Sequence, residues 1–327
     1  MTRVSWLIPF RDAEAWIAES IQSVLDEASE TDEIILIDDG STDSSVAKLP
    51  KDQRIRLLQQ KPQGIVAALE AGRSIAKAEF IARMDADDHC LPGRINAQLA
   101  ALRANPKLAA IGGQAEIHSD GNTVGEGMQR YVNWVNQLQD IHRELLVESP
   151  LFHPAVCFRA EAVEEVGGYR QGDFPEDYEL WLRLVAAGWR IDNLPRKVVR
   201  IRDRPERLTR SDPRYNKAAF RHARQDFLGR THLATPSRVV IWGGKKGARP
   251  WIQWLKATGH ELVAVVDIVP GHERGGRPLV LPERLPNLDF DLLLVAVGQR
   301  GARTLIREEL NQLCPHRIEG QDWFAVL

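Results

Sequence analysis

Three short, mostly apolar runs in the first 90 residues each end at polar or charged residues. Residues 4–9 form the first run, residues 34–37 the second and residues 79–84 the third. Runs of four to six residues, mostly apolar and followed by a polar loop, are typical of buried strands. We therefore predict three strands, each followed by a loop that carries polar side chains.

Between the first two runs, apolar residues recur at helical spacing. They are Trp16, Ile17, Ile21, Val24 and Leu25. The spacing predicts a helix, and Asp12 is a candidate for its amino-terminal cap. The order strand, helix, strand then repeats towards the third run. This order predicts a parallel sheet with all three loops on one edge, which is where open α/β sheets bind ligands.

Two clusters of carboxylates follow the second and third runs. Asp38 and Asp39 end the second run, and Asp85, Asp87 and Asp88 follow the third within four positions. Carboxylate oxygens suit Mg²⁺ or Mn²⁺, which usually complete their coordination shell with substrate phosphates. The second cluster is therefore a candidate divalent-metal site with three candidate ligands. A solvated acidic turn or helix start is the alternative for an isolated Asp-x-Asp.

A further acidic pair begins a predicted helix near residue 176. Leu180, Trp181 and Leu184 form an apolar helical face, which places Glu176 and Asp177 at the amino-terminal end of that helix. A carboxylate in a ligand site can take a proton from a reacting hydroxyl group. The alternative is that both acids only interact favourably with the helix dipole.

Four motifs of this chain occur in the order typical of one enzyme family. They are Val4-Ser5-Trp6-Leu7-Ile8-Pro9, Asp38-Asp39-Gly40-Ser41-Thr42-Asp43, Arg83-Met84-Asp85-Ala86-Asp87-Asp88 and Glu176-Asp177-Tyr178-Glu179-Leu180-Trp181. Together they resemble a family 2 glycosyltransferase, over about residues 1–230. The resemblance implies the α/β GT-A fold and inverting transfer of a sugar from a nucleotide-diphosphate sugar to an acceptor hydroxyl, as in glycan or polysaccharide assembly. It also implies assistance by a divalent metal ion, Mg²⁺ or Mn²⁺.

The resemblance assigns the chemical roles. Asp177 would be the base that takes the acceptor proton, and Glu176 would orient the acceptor or the helix start. Asp87 would hold the metal ion, Asp85 would lie on the ribose or sugar side and could also ligate the metal, and Asp88 would be a second ligand or a supporting acid.

The remaining donor contacts are also implied by the resemblance. Pro9 and Arg11 would flank the base and ribose, although the family often has Tyr-Asn where this chain has Arg11-Asp12. Asp39 would accept from a base N–H, supported by Asp38. Gly64 would let the backbone approach the nucleotide, or would simply form a turn. Arg83 would contact the diphosphate or neutralise Asp85. His153, in a His-Pro element, is a candidate on the acceptor side, with a structural role as the alternative.

The segment from residue 190 to 230 is basic, with thirteen Lys or Arg against five Asp or Glu. It lacks a recognisable nucleic-acid motif, so an anionic donor or acceptor fits better than nucleic acid. The family often closes such an arginine-containing segment over the donor, and Arg200, Arg202 and Arg204 are the candidates. A solvated basic face is the alternative.

A break rich in turn-forming residues at 234–237 separates two predicted domains, a GT-A domain over residues 1–234 and a smaller α/β domain over residues 235–327. The second pattern is Rossmann-like, with a glycine turn at 243–248 and Asp267 where a ribose-binding acid would lie. The glycine spacing does not match a dinucleotide site. Lys245 and Lys246 could instead meet phosphate, but a packing or assembly role is favoured.

Composition narrows the class of protein. The chain has 327 residues, of which 43% are hydrophobic, and a formal net charge of −2. The amino terminus lacks a signal-peptide pattern, so a cytoplasmic enzyme is expected, and peripheral membrane association stays compatible with it. Three widely spaced cysteines argue against a disulfide framework or a zinc site. A nucleotidyltransferase and a sugar-nucleotide-binding module without activity are the alternatives to transfer. The sugar, the acceptor and the oligomeric state are left open.

Overall fold

The computed structural model describes residues 2–121, 123–244, 246–269 and 271–327. The chain divides into two compact units. The first runs to Ile141 and resumes over Pro150–Phe220, and the second consists of His142–Ser149 and Arg221–Leu327. The predicted domain boundary after Ala234 thus lies within the second unit. Among the described residues, no helix has both the length and the apolar composition needed to cross a membrane.

The first unit contains a sheet flanked by helices. Its strands are β1 (Ser5–Phe10), β2 (Glu33–Asp38), β3 (Ile55–Gln59), β4 (Phe80–Arg83), β5 (His89–Cys90), β6 (Leu108–His118), β7 (Cys157–Arg159) and β8 (Arg190–Arg202). Its helices are α1 (Ile17–Glu27), α2 (Ile65–Ile75), α3 (Arg94–Ala104), α4 (Glu126–Asn136), α6 (Ala160–Glu165), α7 (Glu176–Ala186) and α8 (Leu208–Ser211), whereas only the first residue of the short helix α5 (Ile141–Glu144) belongs to this unit. Short 3₁₀ turns lie at Val46–Lys48, His153–Ala155 and Pro213–Tyr215.

The strands of this sheet follow the order β3-β2-β1-β4-β7-β6-β8-β5. Strand β1 pairs in parallel with both β2 and β4, and β2 pairs in parallel with β3. The predicted parallel arrangement of the three apolar runs is therefore confirmed, and the loops after β1, β2 and β4 lie at one edge. Strand β7 is antiparallel to β4 and β6, which makes the sheet mixed.

Strand β8 carries part of the basic segment to this same region. It pairs in parallel with β6 over a long register that ends with Arg202 opposite His118, and His89 of β5 lies opposite Arg200. Arg200 and Arg202 are thus strand residues and not part of a loop. The strand pairing places these two candidates in the sheet, and the predicted closing of the arginine-containing segment over the donor stays a prediction.

A buried arginine ties helix α3 to the end of β4. Strands β1, β2 and β4 are buried at every position, as apolar runs covered on both faces should be. The Arg94 guanidinium lies 5.3 Å from the ring centroid of Trp6 and donates a 2.7 Å hydrogen bond to the Arg83 carbonyl oxygen. Both Arg94 and Trp6 are fully buried. This contact holds the point at which β4 ends and the Asp85 loop begins.

The second unit contains a sheet of its own. Helix α9 (Lys217–Arg230) leads into β9 (Arg238–Trp242), α10 (Arg249–Ala257), β10 (Glu261–Val266), β11 (Glu273–Arg274), β12 (Arg277–Val280), a 3₁₀ turn (Pro282–Asn287), β13 (Leu292–Val295), α11 (Ala302–Leu313) and β14 (Trp323–Ala325). The parallel strands follow the order β12-β10-β9-β13-β14. Doubly wound sheets have this order. It supports the Rossmann-like interpretation, which stays a prediction.

The glycine turn after β9 is explained by packing within the unit. The Gly244 N–H donates a 2.6 Å hydrogen bond to Asp267 Oδ2, and a Cβ on Gly244 would lie 2.4 Å from that oxygen. Gly243 has a φ of 135°, and a Cβ there would lie 2.8 Å from the Ala296 carbonyl oxygen. Asp267 therefore holds the turn. Lys245, a candidate phosphate contact, lies outside the described residues.

Candidate active site

The loops after β1 and β2 are tied to each other by side chains. Asp12 Oδ1 accepts a 2.7 Å hydrogen bond from the Thr42 N–H, and the Asp12 N–H donates to Ser41 Oγ at 3.0 Å. Helix α1 begins at Ile17 without a side-chain cap. The prediction that Asp12 caps this helix is therefore wrong, because its carboxylate is used by the neighbouring loop. Arg11 is half exposed, so it stays accessible to a ligand.

Asp39 organises the loop that leads into helix α2. Its Oδ1 accepts from the Gln60 side chain at 2.7 Å and from the Gln63 N–H at 2.8 Å, and its Oδ2 accepts from the Gly64 N–H at 2.8 Å. Gly64 has a φ of 89°, and no atom of the described part of the chain lies within 4 Å of an added Cβ. The backbone at Gly64 is thus fixed by Asp39 and open on its other side, as a nucleotide contact requires.

Asp38 supports the same region from the end of β2. It is buried, and its carboxylate accepts from the Ser41 N–H at 2.8 Å and from the Gln59 side chain at 3.2 Å. Pro9 is buried in β1 beside it, paired with Ile37 of β2. The structure therefore brings Asp38, Asp39 and Gly64 together, and Pro9 lies in the strand beside the end of β2.

The three carboxylates after β4 form one cluster. Asp85, Asp87 and Asp88 each offer an oxygen, and these oxygens all lie within 4.8 Å of one another. Asp88 Oδ1 accepts a 2.9 Å hydrogen bond from the Arg202 N–H, whereas its buried Oδ2 has no hydrogen-bond partner among the described residues. Burial, followed by the charges of Asp87 and Asp85, raises the pKa of Asp88 well above its ordinary value.

Arginines from the end of β8 and beyond it surround this cluster. Arg204 Nε donates a 2.7 Å hydrogen bond to Asp87 Oδ2, and its guanidinium lies 4.6 Å from the centroid of Trp16. Arg202 donates to the Asp87 carbonyl oxygen at 2.9 Å and pairs with Asp120 and Glu19. The Arg202 guanidinium is therefore already engaged by the protein. Its predicted contact with the donor stays a prediction.

Glu176 and Asp177 begin helix α7, as predicted, but their surroundings differ. Glu176 is buried; its Oε2 accepts a 2.6 Å hydrogen bond from the Tyr215 hydroxyl, and its Oε1 lies 3.8 Å from His153 Nδ1. Asp177 is partly exposed, and its Oδ1 accepts from the adjacent Tyr178 N–H at 2.7 Å. Within the described part of the chain, Asp177 Oδ2 has no protein partner. Asp177 is thus the acid of the pair that is free to meet a substrate.

The protonation of this pair follows from its burial. Burial, reinforced by the Glu176 charge, raises the pKa of Asp177 to about 7. Burial also raises the pKa of Glu176, although the Tyr215 hydrogen bond opposes that shift. His153 is buried, and desolvation together with the charge of Arg83 lowers its pKa well below its ordinary value, so its ring is neutral. Its Nε2 is hydrogen-bonded to the Tyr169 hydroxyl at 2.8 Å, which gives His153 a structural contact.

Arg83 connects the two acidic groups electrostatically. It is buried, forms an ion pair with Asp85, and has a side-chain Nε without a hydrogen-bond partner among the described residues. Its positive charge lowers the pKa of both Glu176 and Asp177 against the effect of burial. Burial lowers the pKa of Arg83 itself, but Asp85, Tyr169 and Glu176 together outweigh burial and keep that pKa above its usual value. Both roles predicted for Arg83 are compatible with this position.

Sequence reasoning missed two residues of this site. Tyr215 lies in the 3₁₀ turn Pro213–Tyr215 and reaches Glu176. Arg207 donates to the Arg202 carbonyl oxygen at 2.8 Å; burial lowers its pKa, but the charges of Asp88, Asp85 and Asp87 outweigh burial and raise it. Both residues lie in the basic segment, and the high charge of that segment was the only feature of the sequence that indicated a role in the site.

Comparison with known proteins gives the class of this fold and site. Residues 5–167 match the glycosyl transferase family 2. The amylovoran biosynthesis glycosyltransferase AmsE of Erwinia amylovora is 30% identical over 192 residues, which are 57% of this chain and 70% of AmsE. Relatives this similar over this share of their length establish membership: the chain belongs to glycosyl transferase family 2.

Two solved structures show the same fold at low sequence identity. Staphylococcus aureus TarS 1–349 in complex with UDP-GlcNAc has a TM-score of 0.52 and 16% identity, over 78% of this chain and 80% of that one. The mannosyltransferase PcManGT of Pyrobaculum calidifontis, in complex with GDP-Man and Mn²⁺, has a TM-score of 0.50 and 18% identity, over 71% and 63% of the two chains. The predicted GT-A glycosyltransferase fold and family are confirmed.

Proposed function

We propose that this chain transfers a sugar from a nucleotide-diphosphate sugar to an acceptor hydroxyl with inversion at the anomeric carbon. One observation supports this most directly: Arg83 links a carboxylate cluster suited to a metal ion with Asp177, a partly exposed carboxylate free to accept a proton. AmsE acts in amylovoran biosynthesis. On this likeness, we propose that the transfer belongs to glycan or polysaccharide assembly. We also propose that it takes place in the cytoplasm.

The carboxylate cluster fits a divalent cation, Mg²⁺ or Mn²⁺. Three carboxylates converge, one of their oxygens is buried and has no hydrogen-bond partner among the residues that the structure describes, and hard oxygen ligands are what these ions prefer. Asp87 and Asp85 would hold the ion, with Asp88 as a further ligand or support. When bound, such an ion would neutralise charge on the diphosphate leaving group.

The protein groups around the cluster would bind and orient the donor. Asp39 uses three hydrogen bonds on its carboxylate, and an ionised carboxylate has about four lone-pair sites. One site is thus left for a base N–H. Gly64 offers close backbone approach, and Arg11 is exposed beside the same loops. Arg83 and Arg202 supply positive charge for the diphosphate, because both lie against the cluster.

Asp177 would take the proton of the acceptor hydroxyl as its oxygen attacks the anomeric carbon. Glu176 is less suited to this role, because the Tyr215 hydroxyl occupies one of its oxygens and His153 lies beside the other. We assign Glu176 to positioning of the helix start and of the acceptor. The proton passes from the acceptor hydroxyl to the Asp177 carboxylate, a bond forms between the acceptor oxygen and the anomeric carbon, and the bond from that carbon to the nucleotide diphosphate breaks on the opposite face of the sugar.

The proposal is tested by presenting the purified protein with a panel of uridine, guanosine and thymidine diphosphate sugars, with and without Mn²⁺. Thermal stabilisation and donor hydrolysis are measured for each. We expect at least one donor to stabilise the protein only when the metal ion is present. Stabilisation without any hydrolysis or transfer would favour a binding module. A nucleotidyltransferase would instead release pyrophosphate when the protein is given a nucleoside triphosphate and a sugar phosphate.

The pKa of Asp177 predicts how the rate depends on pH. A base must be ionised, so kcat/KM should rise by roughly tenfold per pH unit below about pH 7 and level off above it. This profile reports the free enzyme, and its midpoint belongs to the Glu176–Asp177 pair as a whole. Asp173→Asn, which removes an exposed acid just before this motif, should keep the profile. A flat profile between pH 5 and 8 would contradict the assignment.

Arg204 is expected to compete with the metal ion for Asp87. The ion pair of Arg204 with Asp87 is partly exposed. Loss of the Arg204 side chain should therefore tighten binding of Mn²⁺ in the absence of donor by only about three- to tenfold. Arg204→Ala is compared with Arg200→Ala, which removes the same charge from an ion pair with Glu116. Calorimetric titration with Mn²⁺ measures both. Weaker or unchanged Mn²⁺ binding by Arg204→Ala, relative to Arg200→Ala, would refute this competition.

A further inference from the structure

The second unit has a surface cavity that the proposed transfer reaction does not use. Its volume is about 380 Å³, and it lies between the carboxyl-terminal part of α9, residues 233–236, and the end of α10 with His260. All of its lining residues belong to the second unit. The volume falls within the usual range of small-molecule sites, roughly 300–1,000 Å³.

The amide side chain of Gln225 lines this cavity. Gln225 is 7% exposed, and no hydrogen bond of its side chain to another described residue is present. A side-chain amide has donors on its nitrogen and an acceptor oxygen. The Gln225 amide can therefore both donate to and accept from a polar ligand in the cavity.

His260 adds a hydrogen-bond donor, and its ring is held in place by a backbone contact. It is 7% exposed, and its Nδ1 accepts a 3.2 Å hydrogen bond from the Ser237 N–H. Burial lowers the pKa of the His260 ring, which favours the neutral form. A neutral ring that accepts at Nδ1 carries its hydrogen on Nε2. His260 therefore offers an N–H donor that is set by the backbone at Ser237.

The rest of the lining supplies an aromatic surface but little net charge. Trp254 is only partly buried, and Gly229 faces it: a Cβ on Gly229 would lie 3.7 Å from Trp254 Cζ2. Asp226 and Arg230 also line the cavity, and they form an ion pair with each other at 2.9 Å. Because these charges compensate, the cavity is better suited to a neutral ligand than to a phosphate.

We propose that this cavity binds a neutral carbohydrate, one or two pyranose rings in size. A pyranose presents an apolar C–H face suited to Trp254 and hydroxyl groups suited to Gln225 and His260. The inference rests only on residues of the second unit, so it does not depend on whether the first unit transfers a sugar.

The test titrates the full chain with methyl glycosides of glucose, galactose, mannose and N-acetylglucosamine, and with maltose and cellobiose. Binding is measured by saturation-transfer NMR and calorimetry. We expect at least one of these sugars to bind with a dissociation constant in the millimolar range. Trp254→Ala and Gln225→Leu should each weaken it by about tenfold or more. Gln253→Ala, an exposed change on the same helix outside the lining, should have no effect.

Two further variants keep the result interpretable. Gly229→Ala should hold or raise the unfolding temperature, because glycine is unfavourable within a helix, and should weaken sugar binding by placing a methyl group against Trp254. Asp87→Ala should leave this binding unchanged, which separates it from the donor site. The proposal is overturned if no sugar of the panel binds, if inorganic phosphate displaces the sugar, or if Asp87→Ala removes binding while Trp254→Ala does not.

Discussion

Asp177→Asn is expected to lower kcat by roughly a hundredfold to ten-thousandfold, the range typical for loss of a general base. Asparagine keeps the size of the side chain and can still accept from the Tyr178 N–H, but it cannot take a proton from the acceptor. Because Asp177 would face the acceptor and not the nucleotide, donor affinity should change little. Steady-state transfer kinetics and calorimetric titration with the donor measure the two quantities separately.

Two matched variants decide whether Asp177 is the base. Asp173→Asn makes the same change at an exposed position just before the motif and should leave kcat near normal. Glu176→Gln should disturb positioning through Tyr215 and have a smaller effect on kcat than Asp177→Asn. If Asp177→Asn transfers nearly normally and Glu176→Gln does not, the base is Glu176.

Asp87→Ala is expected to abolish metal-dependent binding of the sugar nucleotide, weakening it by more than about a hundredfold. Loss of an outer-shell partner typically costs about 10- to 100-fold in metal affinity, and a direct ligand should cost more. The change also frees Arg204, which otherwise pairs with Asp87. Donor affinity is measured by calorimetry with and without Mn²⁺, together with the unfolding temperature.

The control for this variant is Asp26→Ala, which removes an exposed carboxylate on α1. It should bind donor and metal ion normally. Unchanged metal-dependent affinity in a folded Asp87→Ala protein would remove the carboxylate cluster from the donor site.

The part of the fold that surrounds the site was predictable because apolar runs end where the functional acids begin. The runs before Asp38 and Asp85 became β2 and β4, and the apolar face after Asp177 became helix α7. These elements depend on local hydrophobic pattern, which a sequence displays directly. The same hydrophobic pattern predicted the positions of Asp38, Asp85 and Asp177 at the ends of these elements.

Contacts between distant segments could not be predicted in the same way. Arg200 and Arg202 are in a strand because β8 pairs with β6, and no local feature of a basic stretch indicates such a register. The Tyr215 hydroxyl reaches Glu176 across 39 positions of sequence. Asp12 likewise contacts Thr42 in the neighbouring loop instead of capping its own helix. Each of these contacts depends on how two segments meet in the folded chain.

The anomeric configuration of the transfer product tests the central claim most directly. Once a donor and an acceptor have been found by screening, proton NMR of the product before any mutarotation shows whether the new glycosidic bond has the configuration of the donor. Attack by an acceptor oxygen activated by Asp177, opposite the departing diphosphate, predicts a product of inverted configuration. A product with the donor's configuration would contradict single displacement and, with it, the role proposed for Asp177.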